Sequence, residues 1–581
     1  MSLITARRAS QVFFTALFLW FCAAATLGER FSELSGWPVN LFLELDPLVA
    51  LATLLSTHTL YRGLLWALLT VCVTILLGRV FCGWVCPFGA MHQFVGWLGM
   101  RGRSLPARLE KNRFLPAQNL KVLVLAFFLA AAALGPAGGG SLWAGLLDPI
   151  CLAQRSVNLA LLPFLERLGV AARGEPRLAQ GALAIAAVFL AALLLNLHRP
   201  RFFCRFLCPL GALLGLIGRF ALLRIGRTAE ACSGCGLCER ACEGACAPTG
   251  RIRTPECVVC LNCLADCRHG AIALATRPSA GGEIPLPDPG RRAVLAALVS
   301  GAALVPLGRV GGSTAAAWSP SLVRPPGALA EEEFLARCIR CGQCMRVCPT
   351  HVIQPAGLEE GFEALWTPKL DFRAGRSGCQ HTCIACGHLC PTAAIRPLRL
   401  EERLGTAEFA GRGPLRIGCA FVDRGRCLPW AMDRPCIVCQ ENCPVSPKAI
   451  FTRAVYPPVR MEEPLRVGEA AGERIGLAAG RLEAGRFATG DYFVQLASGR
   501  RIRIRGHGER EIELSAAIPD TELPAAGSAL EIAIRLQQPY VDPRRCIGCG
   551  VCEHECPVLG KRAIRVTAEN ESRHPRHRMT L

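Results

Sequence analysis

The sequence predicts an α-helical membrane domain of four spans with an internal repeat, followed by small metal-dependent modules and a β-rich insert. Three observations carry this reading. Apolar residues make up 51% of the 581 positions and the mean hydropathy is +0.33, more than a soluble chain usually sustains. Four apolar runs lie near the N-terminus. The 33 cysteines stand mostly two or three residues apart, in repeated groups of four. A chain of this length is expected to form several domains.

The apolar runs cover residues 11–28, 63–80, 122–135 and 178–197. The first and last have the length of about 20 residues that a bilayer crossing needs. The middle two are shorter or flanked by single charges. The first run is no cleaved signal, because a clear small-residue cleavage site is missing and further spans follow. The region repeats itself. A helix, Leu45-Asp46-Pro47-Leu48, a helix and Cys82-Gly83-Trp84-Val85-Cys86-Pro87-Phe88-Gly89-Ala90 are answered in the second half. There a helix, Leu147-Asp148-Pro149-Ile150, a helix and Cys204-Arg205-Phe206-Leu207-Cys208-Pro209-Leu210-Gly211-Ala212 follow in the same order. Two hairpins of one direction place both Asp-Pro turns on one face and both Cys-x3-Cys-Pro motifs on the other.

The net charge is +20, carried mainly by arginines at the ends of apolar runs (Arg7, Arg8, Arg101, Arg103, Arg199, Arg201). That is a topology signal, and without a single basic face or zinc-finger spacing it argues against nucleic acid. It places the N-terminus and the basic stretch 101–113 in the cytoplasm. The Cys-x3-Cys-Pro motifs are then cytoplasmic, while Asp46 and Asp148 face outward. A Cys-x3-Cys pair puts both thiols near one side of a helical turn. Two such pairs supply four thiolates, so Cys82, Cys86, Cys204 and Cys208 are candidate ligands for a metal or an iron–sulfur centre; the alternative is four small buried thiols. Asp46 and Asp148 either accept protons or cap helices. Cys22 and Cys72, alone inside spans, read as core.

Disulfides fit scattered cysteines in small secreted domains, which is not the pattern here. Cys232-x2-Cys235-x2-Cys238-x3-Cys242 with Cys257-x2-Cys260-x2-Cys263-x3-Cys267 is the two-cluster [4Fe–4S] spacing. Three thiolates come from each tight loop and the fourth from the partner run. Cys232, Cys235, Cys238 and Cys267 are therefore expected to hold one cluster, and Cys257, Cys260, Cys263 and Cys242 the other. Neither fourth cysteine precedes a proline, and Cys246 is left over. A second pair is Cys338, Cys341, Cys344 and Cys348 with Cys379, Cys383, Cys386 and Cys390, the latter run widened by one residue. A third joins Cys427, Cys436, Cys439 and Cys443, with Cys419 in reserve for Cys427, to Cys546, Cys549, Cys552 and Cys556. Six [4Fe–4S] clusters follow. Such modules depend on the metal for folding, because their own cores are small. The fold class is then an α-helical membrane domain followed by bacterial-type 2[4Fe–4S] ferredoxin domains.

Between the first two pairs, residues 288–308 read DPGRRAVLAALVSGAALVPLG. This is a fifth span or a twin-arginine-like segment, with a buried cytoplasmic helix as the alternative. A true crossing leaves the first pair inside and carries the rest outside. The cysteine-free stretch before Cys546 holds Phe493-Val494-Gln495-Leu496 and the strictly alternating Arg501-Ile502-Arg503-Ile504-Arg505, which predict a β-rich insert. The expected organisation is a membrane domain at 1–225, a cytoplasmic ferredoxin domain at 226–285, the crossing at 286–310 and a linker at 311–328. A cluster region at 329–458, the insert at 459–540 and a final motif at 541–581, pairing with 427–443, complete it.

These motifs support a named resemblance. The first 270 residues resemble the membrane quinol-dehydrogenase subunit of periplasmic nitrate reductase systems, the NapH type. From about 288 the chain resembles the exported ferredoxin of those systems and its methylamine-utilisation relative, the NapG/MauM type, through RCIRCGQCMRVCPT, CIACGHLCPT, RPCIVCQENCPVSPKAI and RRCIGCGVCEHECPV. The chain looks like a fusion of the two. The Cys-x3-Cys-Pro pair is also similar to that of the nitrous-oxide reductase regulator and of copper-oxidase assembly proteins. The resemblance implies a multi-pass protein of the bacterial cytoplasmic membrane with its C-terminal region in the periplasm. It implies quinol from the membrane pool as substrate, and a periplasmic or extracytoplasmic reductase or electron carrier as partner. The alternatives are an assembly or maturation factor working through the membrane cysteines, and a redox sensor or scaffold. No Cys-x2-Cys-His haem site and no glycine-rich nucleotide loop stand in the sequence.

Overall fold

The computed structural model describes residues 3–26, 37–169, 179–228, 232–310 and 319–573. The expected linker lies outside the described residues as far as 318, as do the ends of two apolar runs (27–28 and 178). The chain forms two compact units. One comprises Met1–Arg376 and Thr382–Leu415, the other Ser377–His381 and Arg416–Leu581. The cluster region expected at 329–458 is thus divided. The small piece 377–381 belongs to the second unit because the Cys379 N–H donates to Cys549 O at 2.7 Å, with Gly378 pressed against that same carbonyl.

In the first unit the apolar runs fold as helices, α1 (Leu3–Ala24), α3 (Ala67–Leu77), α5 (Leu120–Ala133) and α7 (Ala182–Leu194). Between them lie α2 (Pro47–Thr57), α4 (Pro87–Met100), α6 (Pro149–Ser156) and α8 (Pro209–Ile217). Among the described residues one helical stretch, Leu105–Ala133, is long and apolar enough to cross a membrane. Pro47–Thr57, Arg62–Leu77, Ala182–Leu197 and Pro209–Phe220 are shorter apolar helices. α2, α4, α6 and α8 each begin at a proline, which suits a first helical turn and nothing deeper; this sets the start of Pro47–Thr57 and Pro209–Phe220. The residue before each proline is the N-cap. Asp46 Oδ1 accepts from the Leu48 and Val49 N–H groups at 2.8 and 3.3 Å, and Asp148 Oδ1 from Ile150 and Cys151 at 2.9 Å each. Cys86 Sγ accepts from Gly89 N–H at 3.3 Å and Cys208 Sγ from Gly211 N–H at 3.2 Å. The repeat is therefore a repeat of capped half-helices.

α5 fixes where the cysteine modules attach. Lys121, in its first turn, pairs with Glu256 of the first module at 2.5 Å, both side chains almost wholly buried. Beyond its C-terminus, Ser141 Oγ donates to Ala336 O at 2.8 Å, and Ser56 Oγ to the same carbonyl at 3.0 Å. The module around 232–275 thus sits at one end of α5 and the module around 330–395 at the other. A ninth helix, α9 (Arg291–Val310), connects them. It starts beside the start of α5, where Asn119 Nδ2 donates to Asp288 O at 2.7 Å, and runs parallel to it. At Gly301 an added Cβ would lie 2.3 Å from Phe127 O, so only glycine permits this approach. Its 20 residues span about 30 Å, and with Arg291, Arg292 and Arg309 among them it is not one of the helices apolar enough to cross a membrane. Leu295, Val299, Leu304 and Leu307 leave one face bare.

The second unit carries the predicted insert as a six-stranded antiparallel sheet. Its order is Glu531–Ile534, Tyr492–Gln495, Arg501–His507, Glu511–Leu514, Arg474–Ala479, Arg466–Ala471. Ile502 and Ile504 point into a core with Val467, Ile475, Val494 and Ile512, while Arg501, Arg503 and Arg505 stay exposed, as strand alternation requires. At its base, Ile450–Val455 pairs with Leu536–Val541, Ile450 opposite Val541. That ladder closes the long excursion and returns the Cys546 run to the Cys443 run.

Candidate metal centres

The first module brings its two runs together. Cys238 neighbours Cys267 and Cys242, and Cys263 neighbours Cys260, Cys242, Cys257 and Cys238. Cys232 is half-buried and Cys235 exposed, at the outer edge. Cys246, unassigned from spacing, is buried against the second set. Its N–H donates to Cys242 Sγ at 3.2 Å, and its thiol meets both Cys242 and Cys257.

In the second pair, Cys338, Cys341 and Cys344 line one cavity together with Cys390, the last cysteine of the partner run. Cys383 neighbours Cys348, and Cys386 lies near Cys344. Cys379 falls in the second unit, whereas the rest of its run falls in the first. In the third pair, Cys427, Cys436 and Cys439 line a cavity with Cys556. Cys552 neighbours Cys549, Cys546 and Cys443. Cys427 therefore stands with Cys436. The reserve, Cys419, stands instead at Cys546, whose Sγ accepts the Ala420 N–H at 3.3 Å.

Among the described residues, no three His, Cys, Asp or Glu side chains gather as tightly as a single metal ion requires. The two cavities walled by four cysteines fit a larger group. Four soft thiolates around one void, three from a loop and one from afar, are the donor set of a cubane.

The membrane thiols also converge. Cys86 neighbours Cys82 and Cys204, and Cys208 neighbours Cys204 and Cys82. Three buried cations surround them. Arg79 Nη2 reaches Cys82 Sγ at 3.9 Å, Arg201 Nη1 donates to Cys82 O at 3.0 Å, and Lys121 lies near Cys204. Each arginine also reaches across the repeat. Arg79 packs on Gly211 and Arg201 on Gly89, and a Cβ at either glycine would crowd the guanidinium. Cations and converging helix N-termini both favour thiolates. Spacing alone overlooked these arginines. The signal was present as Arg-x-Phe-Cys-x3-Cys-Pro-x-Gly-Ala, which occurs at Arg79 and again at Arg201.

The thiol loop abuts the first module. A Cβ at Gly83 would lie 2.2 Å from Val258 O, inside the Cys257–Cys260 loop, and Trp84 Nε1 donates to Val259 O at 3.0 Å. Glu243 bridges Arg201 and Arg7 at 2.8 and 3.1 Å. Burial alone would raise its carboxyl, but the two arginines outweigh burial and hold it below the ordinary glutamate range. The other end of the domain has the same construction. A Cβ at Gly145 would lie 2.2 Å from Ile339 O, inside the Cys338–Cys341 loop. Gln343 Nε2 donates to Asn40 Oδ1 at 2.9 Å.

Asp46 and Asp148 lie in the interior of the domain. Both are fully buried and their carboxyl groups meet. Both act as helix caps, each of its own helix. Asp148 lies within electrostatic reach of both Cys208 and Cys151, and Cys151 within reach of Cys341.

Comparison with known proteins finds iron–sulfur families at four places in the chain. A 4Fe-4S binding domain family matches residues 59–106 and again 178–228, so each match contains one Cys-x3-Cys-Pro motif. A second 4Fe-4S binding domain family matches 334–354 and 539–559. The putative electron transport protein YccM of Escherichia coli is 29% identical over 249 residues, 42% of this chain and 64% of that protein. The ferredoxin-type protein NapH of Escherichia coli is 27% identical over 292 residues, 48% of this chain and 90% of that protein. The methylamine utilization ferredoxin-type protein MauN of Methylorubrum extorquens is 31% identical over 202 residues, 34% of this chain and 59% of that protein. No solved structure matches the chain.

Proposed function

We propose that this protein is a membrane-bound iron–sulfur electron carrier that takes electrons from quinol and delivers them to an extracytoplasmic reductase or carrier. One observation carries the reading. The two modules of the first unit press their cysteine loops onto the two ends of one apolar helical domain, through Gly83 at Val258 and Gly145 at Ile339. Such contact without intervening side chains suits electron exchange. Relatives described as electron transport and ferredoxin-type proteins support it, as does the family match around Cys82, Cys86, Cys204 and Cys208.

The six expected cubanes draw on the cysteine runs described above, and each supplies one-electron redox chemistry when bound. The chain's own residues do the rest. Arg79, Arg201 and Lys121 place positive charge beside the membrane thiols. Glu243 and Glu256 lock the first module to the end where those thiols lie. α9, packed along α5, carries the remaining modules to the outer side of a multi-pass domain, so the N-terminus is cytoplasmic and the C-terminal region periplasmic.

The test is anaerobic. The full chain, purified in detergent, is mixed with decyl-ubiquinol or menadiol and cluster reduction is followed by EPR. Reduction by at least one quinol, with iron near six cubanes, is expected. Clusters that stay oxidised with both quinols but reduce with dithionite would remove quinol as the electron source.

A further inference from the structure

Two cavities meet beside the Cys82–Cys86 loop. The first, of about 690 Å³, lies between α1 and α4. Its lip is apolar and exposed, formed by Val12, Phe94 and Trp97, with the exposed Arg8 also on its wall. Its inner end is polar. Gln11 Nε2 donates to Gly83 O at 2.7 Å and also meets the Gln93 side-chain carbonyl. Arg201 Nη2 donates to that carbonyl at 3.3 Å. Thr15 Oγ1, on the cavity wall, is buried without a hydrogen-bond partner.

The second cavity, of about 250 Å³, shares Arg8, Gln93 and Trp97 with the first and continues toward the first module, where Glu243 and Asp266 line it. The two adjacent cavities are apolar where the first opens and polar toward the module. The inner wall of the first is one hydrogen bond from the backbone between Cys82 and Cys86. From there Arg201 joins Gln93 to Glu243, the residue after Cys242.

We propose that these adjacent cavities form the quinol site, with the isoprenoid tail in the apolar part and the headgroup at the polar end by Gln11, Thr15 and Gln93. This rests on the quinol reading above. An amphipathic ring with two oxygens matches the features present. Thr15 supplies a free hydroxyl, Gln11 and Gln93 supply amides, and Phe94 with Trp97 supply a lip for an apolar tail. Oxidation of the bound quinol to quinone breaks two O–H bonds and releases two electrons and two protons. The electrons pass one at a time to oxidised iron–sulfur centres, and the protons leave through the polar cavity to water. A phospholipid tail would fill the lip but gives the amides nothing to bind.

The test uses the full cluster-loaded chain in detergent. A short-chain azido-ubiquinone is photolysed on the wild type and the labelled peptides are identified by mass spectrometry. Label on residues 8–19 and 90–97, displaced by excess decyl-ubiquinone, is expected. Ala16→Trp, which places an indole in the apolar part, is expected to slow reduction by decyl-ubiquinol about tenfold or more, with dithionite reduction and iron content unchanged. Gln93→Leu keeps the volume and removes the amide, and is expected to weaken quinol use without loss of iron. Wild type reduced by quinol but labelled elsewhere, with Ala16→Trp as fast as wild type, overturns the site and leaves the quinol reading standing. Wild type that no quinol reduces overturns both.

Discussion

Replacing Lys121 by methionine is expected to loosen the first cysteine module from the membrane domain. Lys121 and Glu256 are 2% and 4% exposed and 2.5 Å apart. The variant leaves Glu256 buried, with the weaker donor Gln118 Nε2 at 3.4 Å and the charges of Arg79 and Arg205 within electrostatic reach. Breaking a buried pair on one side costs about 3–5 kcal/mol, and the remaining amide argues for the lower end. At about 1.4 kcal/mol per decade, about 3 kcal/mol raises the population of the opened form roughly a hundredfold. Leu222 and Leu223 report this opening, because their N–H groups donate to Ile75 O and Leu76 O at 3.0 and 2.9 Å and are freed when the module lifts. Hydrogen exchange at these amides, in the cluster-loaded full chain, should accelerate accordingly. The double variant Lys121→Met with Glu256→Met removes both charges and should recover most of the protection, since an apolar pair of similar volume replaces a buried ion pair at little cost. Exchange in the single variant within about threefold of wild type, or a double variant no better protected, would refute the claim that this pair is desolvated and anchors the module.

Other outcomes follow from the same geometry. Gly301→Leu should push α9 off α5, because its Cβ meets Phe127 O at 2.3 Å; a cost of about 1–3 kcal/mol is expected, read as a lower melting temperature in detergent, with Gly301→Ala milder. Cys338→Ala combined with Cys390→Ala should remove a single cubane, about four irons, because both line one cavity. Loss of two cubanes would instead favour clusters held run by run. Glu402 is held below its ordinary value first by its hydrogen bonds with Arg396. A depressed carboxyl stabilises the fold above the unfolded value of about 4.3 and loses that contribution as pH falls through the folded value. The pair is partly exposed, so the effect should be small, weaker in high salt and absent in Glu402→Gln, as thermal melts across that window will measure. Asp148→Ala should cost about 1 kcal/mol through the lost α6 cap, whereas Asp148→Asn, which keeps an accepting oxygen, should melt close to wild type.

Much of the architecture was legible because it is local. Cysteine spacing marks tight loops, Asp-Pro and Cys-Pro mark capped helix starts, and the alternation from Arg501 to Arg505 marks a strand with one buried face. Each depends on residues within a turn or two, where covalent geometry limits the choices. Even the arginine ring was written into the repeat, as Arg79 and Arg201 three residues before Cys82 and Cys204.

Spacing could not say which distant groups meet. A run of four thiols is equally good chemistry with any partner, so only packing seats Cys390 with Cys338 and Cys556 with Cys427, and only one backbone hydrogen bond draws Cys379 toward Cys549. The two aspartates read as separate turns, and only packing buries their carboxyl groups together. The cavity between α1 and α4 joins residues some 80 positions apart, and no pattern in either helix announces it. What the sequence determined by itself was the chemistry of each segment, since that rests on bonded neighbours. What the tertiary structure decided was which segments share a centre, since that rests on close approaches such as Gly83 to Val258 that depend on the whole chain's packing.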